Sequence, residues 1–333
     1  MKTKTASTIL DYIRKNGKAR PDELVRFLGI SHVALHRQLR GLMEKGLLVK
    51  QGSAPRVYYD FPLETRTAEK SISVHTVISQ TKRRLIDLDY LSVSPKGELR
   101  EGYDGFTSWV RDIGEEERLE ALIDEYICMR KEADQYIKKG RIDATEKIEK
   151  TFDHCYLDRL FYQDFYSLPK FGKTKLGALM LYANQSQQRA LVKRIIVETK
   201  KTVGTIIREF NIQAVAYIPP TVPRAIQFQK EFAHGLLLTI PEISLRKLRQ
   251  GEVIVPQKTL SRLEERIINA QSTIVVERNT LRFRNILLID DAAGSGATMN
   301  ETAKKLKEEK LVKNVIGFAI VGSYKGFDII REV

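Results

Sequence analysis

Apolar positions recur along this chain in three rhythms, and each predicts a different kind of structure. Over the first sixty or so residues they return every three or four positions. Ile9, Leu10 and Ile13 make a helical stripe that stops at Asn16-Gly17, a pair that ends helices. Pro21 suits the first turn of a second helix with Leu24, Phe27 and Leu28 on one face, and Gly29 closes it. Ser31 offers a hydroxyl to the open amides of a third helix. On that helix Leu35, Leu39, Leu42 and Met43 share one side, while His32, Val33, His36, Arg37 and Arg40 share the other. "LLVKQGSAPRVYYDF" then gives two strand-like runs around a turn, flanked by Lys50 and Arg56.

The middle of the chain is less periodic. Residues 63–75 are polar and read as a linker, and "YLSVSPKGELREGY" reads as a hairpin around Pro95-Lys96-Gly97. Residues 115–150 are charged and helix-compatible, which predicts a solvated helical face; a homodimer through this segment is left open. Trp109, Tyr156, Phe161, Tyr162, Phe165 and Tyr166 read as core. Asp153, His154 and Cys155 are adjacent, so their side chains diverge, and no partner stands at ligand spacing.

From about residue 190 buried-strand runs alternate with helical ones: "AVAYIP", "STIVVE", "NILLIDD" and "VIGFAIVG" between amphipathic stretches. That alternation predicts a parallel sheet with helices on both faces. The fold expected is α/β: residues 1–62 as a small helical and hairpin domain, 63–189 as a linker and mostly helical middle region, and 190–333 as a doubly wound domain.

Charge sharpens the first segment. The chain carries a formal net charge of +14, which favours a polyanionic partner, nucleic acid or anionic membrane. Residues 1–62 hold twelve Lys and Arg against five Asp and Glu, so +7 of the excess sits there. No apolar run reaches spanning length, no signal-peptide core is present, and Cys128 and Cys155 lack C-x-x-C spacing. A cytoplasmic protein with no membrane partner is expected.

"NILLIDDAAGSGATMNETAKKL" carries the chemistry of the last domain. Ile286 to Ile289 make a buried strand, and Asp290 and Asp291 are expected to emerge at its C-terminal end. Ala292, Ala293, Gly294, Ser295, Gly296 and Ala297 are small enough for main-chain amides to approach an anion, and Thr298 is expected to begin a helix whose N-terminus favours negative charge. Carboxylates are wrong beside phosphate but right for vicinal hydroxyls next to it. Phosphate and diol together describe a ribose 5-phosphate.

Two resemblances follow from these residues. "LRGLMEKGLLVKQG" resembles the helix-to-wing junction of winged helix-turn-helix domains. It implies double-stranded DNA as partner, with Ser31, His32, Val33, His36, Arg37 and Arg40 at the groove and Lys50 and Arg56 on phosphates. The run Asp290 to Thr298 resembles the signature loop of type I phosphoribosyltransferases, with Gly294 where Thr or Ala is usual. "VPQKTLSRLEERIINAQSTIVV" and "AVAYIPPTVPRAIQFQKEFAHGL" are similar to segments of the ComF-like branch, although Ile226 stands at a glycine position and the Cys-rich zinc element of that branch is absent. The resemblance implies 5-phosphoribosyl-1-pyrophosphate or a related nucleotide as ligand, with Mg²⁺ held by Asp290, Asp291 and the ligand. Asp290 and Asp291 would be the catalytic pair of an active enzyme, and Arg224, Arg262 and Arg266 would meet phosphates.

Two functions fit these parts. One is a DNA-binding regulator whose phosphoribosyltransferase-type domain senses its ligand. The other is an active phosphoribosyltransferase or ribosyltransferase-like effector, in an architecture resembling retron-type antiviral systems.

Overall fold

The structure is a computed structural model that describes residues 2–16, 18–51, 57–62, 78–222, 224–248, 260, 262–277 and 281–327. The chain divides into two compact units, residues 1–77 and 78–333.

The first unit holds α1 (Lys2–Asn16), α2 (Pro21–Leu28), α3 (His32–Glu44), β1 (Val49–Gln51) and β2 (Tyr58–Asp60). Pro21 opens α2, and Gly29 ends it with φ 63°, the left-handed conformation glycine adopts without strain. Ser31 caps α3, its Oγ accepting from the Ala34 amide at 3.3 Å. The hairpin pairs Lys50 with Tyr59, and Ala19 bridges Tyr59 from the other side. Ile9, Ile13, Leu24, Leu35, Leu39, Leu42, Leu48 and Tyr59 close the core. Phe27 differs from expectation: it is 56% exposed and lies against Tyr12, with ring centroids 4.5 Å apart. Leu24 already fills the α2 contact with the core. Arg56 and the linker 63–75 fall outside the described residues.

The second unit begins with α4 (Gln80–Asp89), the hairpin β3 (Leu91–Val93) and β4 (Leu99–Glu101), α5 (Gly102–Asp112) and α6 (Leu119–Asp134). Then come β5 (Ile137–Lys138), β6 (Arg141–Asp143), α7 (Thr145–Thr151), β7 (Arg159–Phe165), β8 (Ser167–Leu168) and β9 (Gly172–Lys173). The rest is α8 (Lys175–Ser186), α9 (Arg189–Glu209), β10 (Ala214–Tyr217), α10 (Phe228–Leu236), β11 (Leu245–Lys247), α11 (Leu263–Thr273), β12 (Ile274–Val276), β13 (Phe283–Ala293), α12 (Ala297–Glu308) and β14 (Val312–Gly322).

Among the described residues the main sheet runs β10-β13-β14-β7-β6-β5. The first four strands are parallel, and β6 and β5 add an antiparallel edge. Side chains alternate across it: Ile286 and Leu288 enter one core with Met299 and Leu306, and Leu287 and Ile289 enter the other with Leu179 and Ile195. The α/β class with a mostly parallel sheet therefore stands.

Two expectations about the middle region change. Residues 115–150 are not one solvated helix, because α6 buries Leu122, Ile123, Tyr126 and Arg130. Lys139 and Gly140, both at positive φ (55° and 76°), then turn a hairpin. The boundary expected at residue 190 also shifts, since β7 lies inside the sheet and residues 78–333 form one unit. Phe161, Tyr162 and Phe165 are the buried aromatics that hold β7 there.

Candidate functional site

On α3 the residues expected at a DNA groove all face outward. His32, Val33, His36, Arg37 and Arg40 are exposed, with Val33 at 82%, although an exposed valine costs solvation. At 100° per residue, Val33, Arg37 and Arg40 lie opposite Leu35, Leu39 and Leu42, while His32 and His36 sit on the flank. Lys50 is exposed on β1. The helix thus presents cations and one apolar side chain on the face its packing leaves free.

The second candidate site is a step in the main sheet. β10 stops pairing at Tyr217 opposite Ile289, with a last bond from the Ile218 amide to the Ile289 carbonyl at 2.9 Å. On the other side β14 keeps pairing β13 as far as Ala293 opposite Gly322. Asp290 and Asp291, expected to emerge at the C-terminal end of this strand, lie within β13, which runs on to Ala293 because its long partner β14 continues beside it. They stand where one neighbour has ended and the other continues, at the carboxyl ends of parallel strands, where ligands of such sheets gather.

The two acids differ. Asp290 is buried, and its Oδ1 accepts the Asp291 amide at 2.8 Å. Burial, and then the negative charge of Asp291, push its carboxyl well above the usual carboxylate range. Asp291 is half-buried and takes a bond from Asn184 Nδ2 on α8 at 2.9 Å. Lys247 on β11 is the cation facing Asp290, and burial lowers its pKa. Its Nζ donates to Thr221 Oγ1 at 2.8 Å, in the segment that follows β10. Tyr166 senses the charge of Asp291, though burial is the larger cause of its raised pKa.

After Ala293 the chain turns through Gly294, Ser295 and Gly296 into α12, which begins at Ala297, one residue before the expected Thr298. Gly296 is at φ 81°, which favours glycine, and an added Cβ would lie 2.8 Å from Ile148 Cδ1, the end of a side chain that would have to shift. Ser295 Oγ accepts from the Ala297 amide at 3.4 Å. The Arg266 guanidinium flanks the turn: a Cβ at Gly294 would lie 3.6 Å from its Nη1. Arg262 is exposed at the N-cap of α11, one turn before Arg266, and Arg224 is half-buried in the approach to α10.

Asn184, Lys247 and Tyr166 carry no local signal of their role. Sheet and helix packing delivers them from distant positions. Of the neighbours Asp153, His154 and Cys155, the His154 main-chain carbonyl accepts from Asn300 Nδ2 at 3.2 Å and Cys155 Sγ donates to the Leu157 carbonyl at 3.4 Å. Among the described residues no three His, Cys, Asp or Glu side chains gather to hold a metal ion, and no described helix is long and apolar enough to cross a membrane.

No curated protein matches the chain. Residues 3–55 match the model of the MarR family. The match spans α1 to the first strand of the hairpin and supports reading this segment as the DNA-binding part of a transcription regulator.

Proposed function

We propose that the protein is a ligand-responsive DNA-binding regulator whose second unit binds a phosphoribosyl compound, 5-phosphoribosyl-1-pyrophosphate or a related nucleotide. One observation carries the ligand reading: a buried Asp290 beside a half-buried second acid, Asp291, next to a glycine-turned helix start. A buried carboxylate beside another is costly without a counter-charge or hydrogen-bond donors. Ribose hydroxyls supply donors, and Mg²⁺ carried by the ligand's phosphates supplies charge. The donor set fits both, with the metal shared between acids and ligand.

In this reading Asp291, which accepts from Asn184 at one oxygen, is the acid that meets the diol. The amides from Ser295 to Thr298, with the Ser295 and Thr298 hydroxyls, take the 5-phosphate at the positive end of α12. Arg266 adds charge beside the turn, with Arg224 and Arg262 as the further expected phosphate contacts. A sensor rather than an enzyme is favoured by Ile226: its amide is tied to Gln187 Oε1 at 3.1 Å, where the resembling enzymes carry glycine for pyrophosphate.

Calorimetric titration with 5-phosphoribosyl-1-pyrophosphate and Mg²⁺ tests the site. Binding to the unaltered protein and its loss in Asp290→Asn with Asp291→Asn are expected. Binding that survives the double change refutes the diol assignment, and pyrophosphate release with a nucleobase moves the protein to the enzymes.

A further inference from the structure

A cleft in the first unit lies between the start of α2, the flank of α3 and the hairpin. Arg20, Asp22, His32, His36, Lys50 and Tyr59 line it. Arg20 and Lys50 are permanent cations. Asp22 is the acid facing them, its Oδ1 3.8 Å from His32 Nε2, and both of those side chains are more than half exposed. Tyr59 is buried and, with its pKa raised by burial, stays neutral. The balance of the cleft therefore depends on the two imidazoles. Neutral, they leave +1 from Arg20, Lys50 and Asp22; protonated, they make it +3. Imidazole is the side chain whose charge changes between about pH 5 and 8.

We infer that this cleft seats one backbone phosphate of duplex DNA and that protonation of His32 and His36 sets how firmly it is held. The inference rests on the DNA-binding reading and adds to it. Val33, Arg37 and Arg40 point straight away from the core into the groove, whereas His32 and His36 lie on the flank, level with the hairpin. A strand bordering the groove occupied by α3 passes over that flank, and an anion there meets donors from three elements at once. Bound phosphate favours the imidazolium form, so binding takes up protons and tightens as pH falls. A proton taken up fully on binding changes affinity by about tenfold per pH unit, so two partly linked histidines give roughly three- to thirtyfold between pH 7.5 and 6.

The test uses the full chain and a labelled mixed-sequence duplex, titrated by fluorescence anisotropy at pH 6 and 7.5 over a series of salt concentrations. Affinity should be at least threefold higher at pH 6. The slope of log K against log salt should be steeper there by about 0.9 for each further phosphate neutralised. His32→Gln with His36→Gln should make the affinities at the two pH values agree, whatever the double change does to affinity at either one. Both side chains are exposed, so circular dichroism should show an unchanged fold. Equal affinity of the unaltered protein at both pH values overturns the inference. So does a pH dependence that survives in the double variant, which would assign it to His75, His154 or His234. Absence of duplex binding at either pH removes the DNA-binding reading itself, and this inference with it.

Discussion

Replacing Arg130 by Met should destabilise the second unit by about 3–5 kcal/mol at neutral pH, the cost of leaving a buried charge without its partner. The Arg130 side chain is only 8% exposed, and its Nη1 reaches Asp164 Oδ1 and Oδ2 at 3.0 and 3.1 Å. Its Nε bonds Asp134 Oδ1 at 2.8 Å, but Asp134 is 46% exposed, so losing that contact costs under about 1 kcal/mol. Asp164, 18% exposed, carries the penalty. Burial already pushes its carboxyl up despite Arg130, and nearby Asp89 is raised by burial too. Without Arg130 the Asp164 carboxyl climbs further. An acid raised in the folded state contributes its stability below the usual carboxylate range and loses it as pH rises. The penalty should therefore be largest near pH 7 and shrink toward pH 4. In melts followed by circular dichroism it corresponds to a fall of roughly 6–20 °C. Arg130→Met with Asp164→Leu should recover most of the loss, since both partners then become apolar. A penalty below about 1 kcal/mol, or one equal at pH 4 and pH 7, refutes the reasoning.

Asp290→Asn should stabilise the ligand-free protein above the usual carboxylate range and flatten its fall in stability with rising pH, because the raised Asp290 carboxyl is a cost that grows as pH climbs past the ordinary carboxylate value; urea melts over a pH series check this. Gly296→Ala should cost about 1–2 kcal/mol for the left-handed backbone alone, more if Ile148 cannot give way, and should abolish phosphoribosyl binding in the same calorimetric assay. Leu39→Ala should cost about 2–5 kcal/mol and abolish duplex binding, whereas Ser31→Ala, whose bond is long at 3.3 Å, should cost only about 0.5–1 kcal/mol; urea melts and anisotropy separate the two.

The elements readable in the sequence are those whose reasons are local. The α3 stripe, the Ser31 cap, the Gly29 stop and the run Ile286 to Ile289 each announce themselves within a few positions. β7 does not. "RLFYQDF" mixes apolar residues with Arg159, Gln163 and Asp164, so it lacks the continuous apolar character of a buried parallel strand. The charge that permits Asp164 to be buried there is Arg130, 34 positions away on α6. The position of Asp290 and Asp291 inside β13 has the same origin, because strand length is decided by β14. The Asn184 contact to Asp291 bridges 107 positions and depends on α8 packing against the sheet.

The second unit thus buries carboxylates in two places and treats them differently. Asp164 receives one guanidinium nitrogen shared between both of its oxygens, and nothing in that arrangement requires a further molecule. Asp290 receives one main-chain amide, the field of Lys247 and a second carboxylate that works against it. Lys247 is itself committed to Thr221. A site built only for stability would replace Asp290 with an apolar residue, as Leu288 two positions earlier shows the sheet can accept. The unfavourable pair is explained if its partner arrives from solution, bringing hydroxyl donors or a cation to the side where β10 has ended. Gly296, at φ 81° and strained for any residue with a side chain, turns the chain into the adjoining helix start. On the proposed phosphoribosyl reading, that partner would set its diol against the acids and its anion against the helix start.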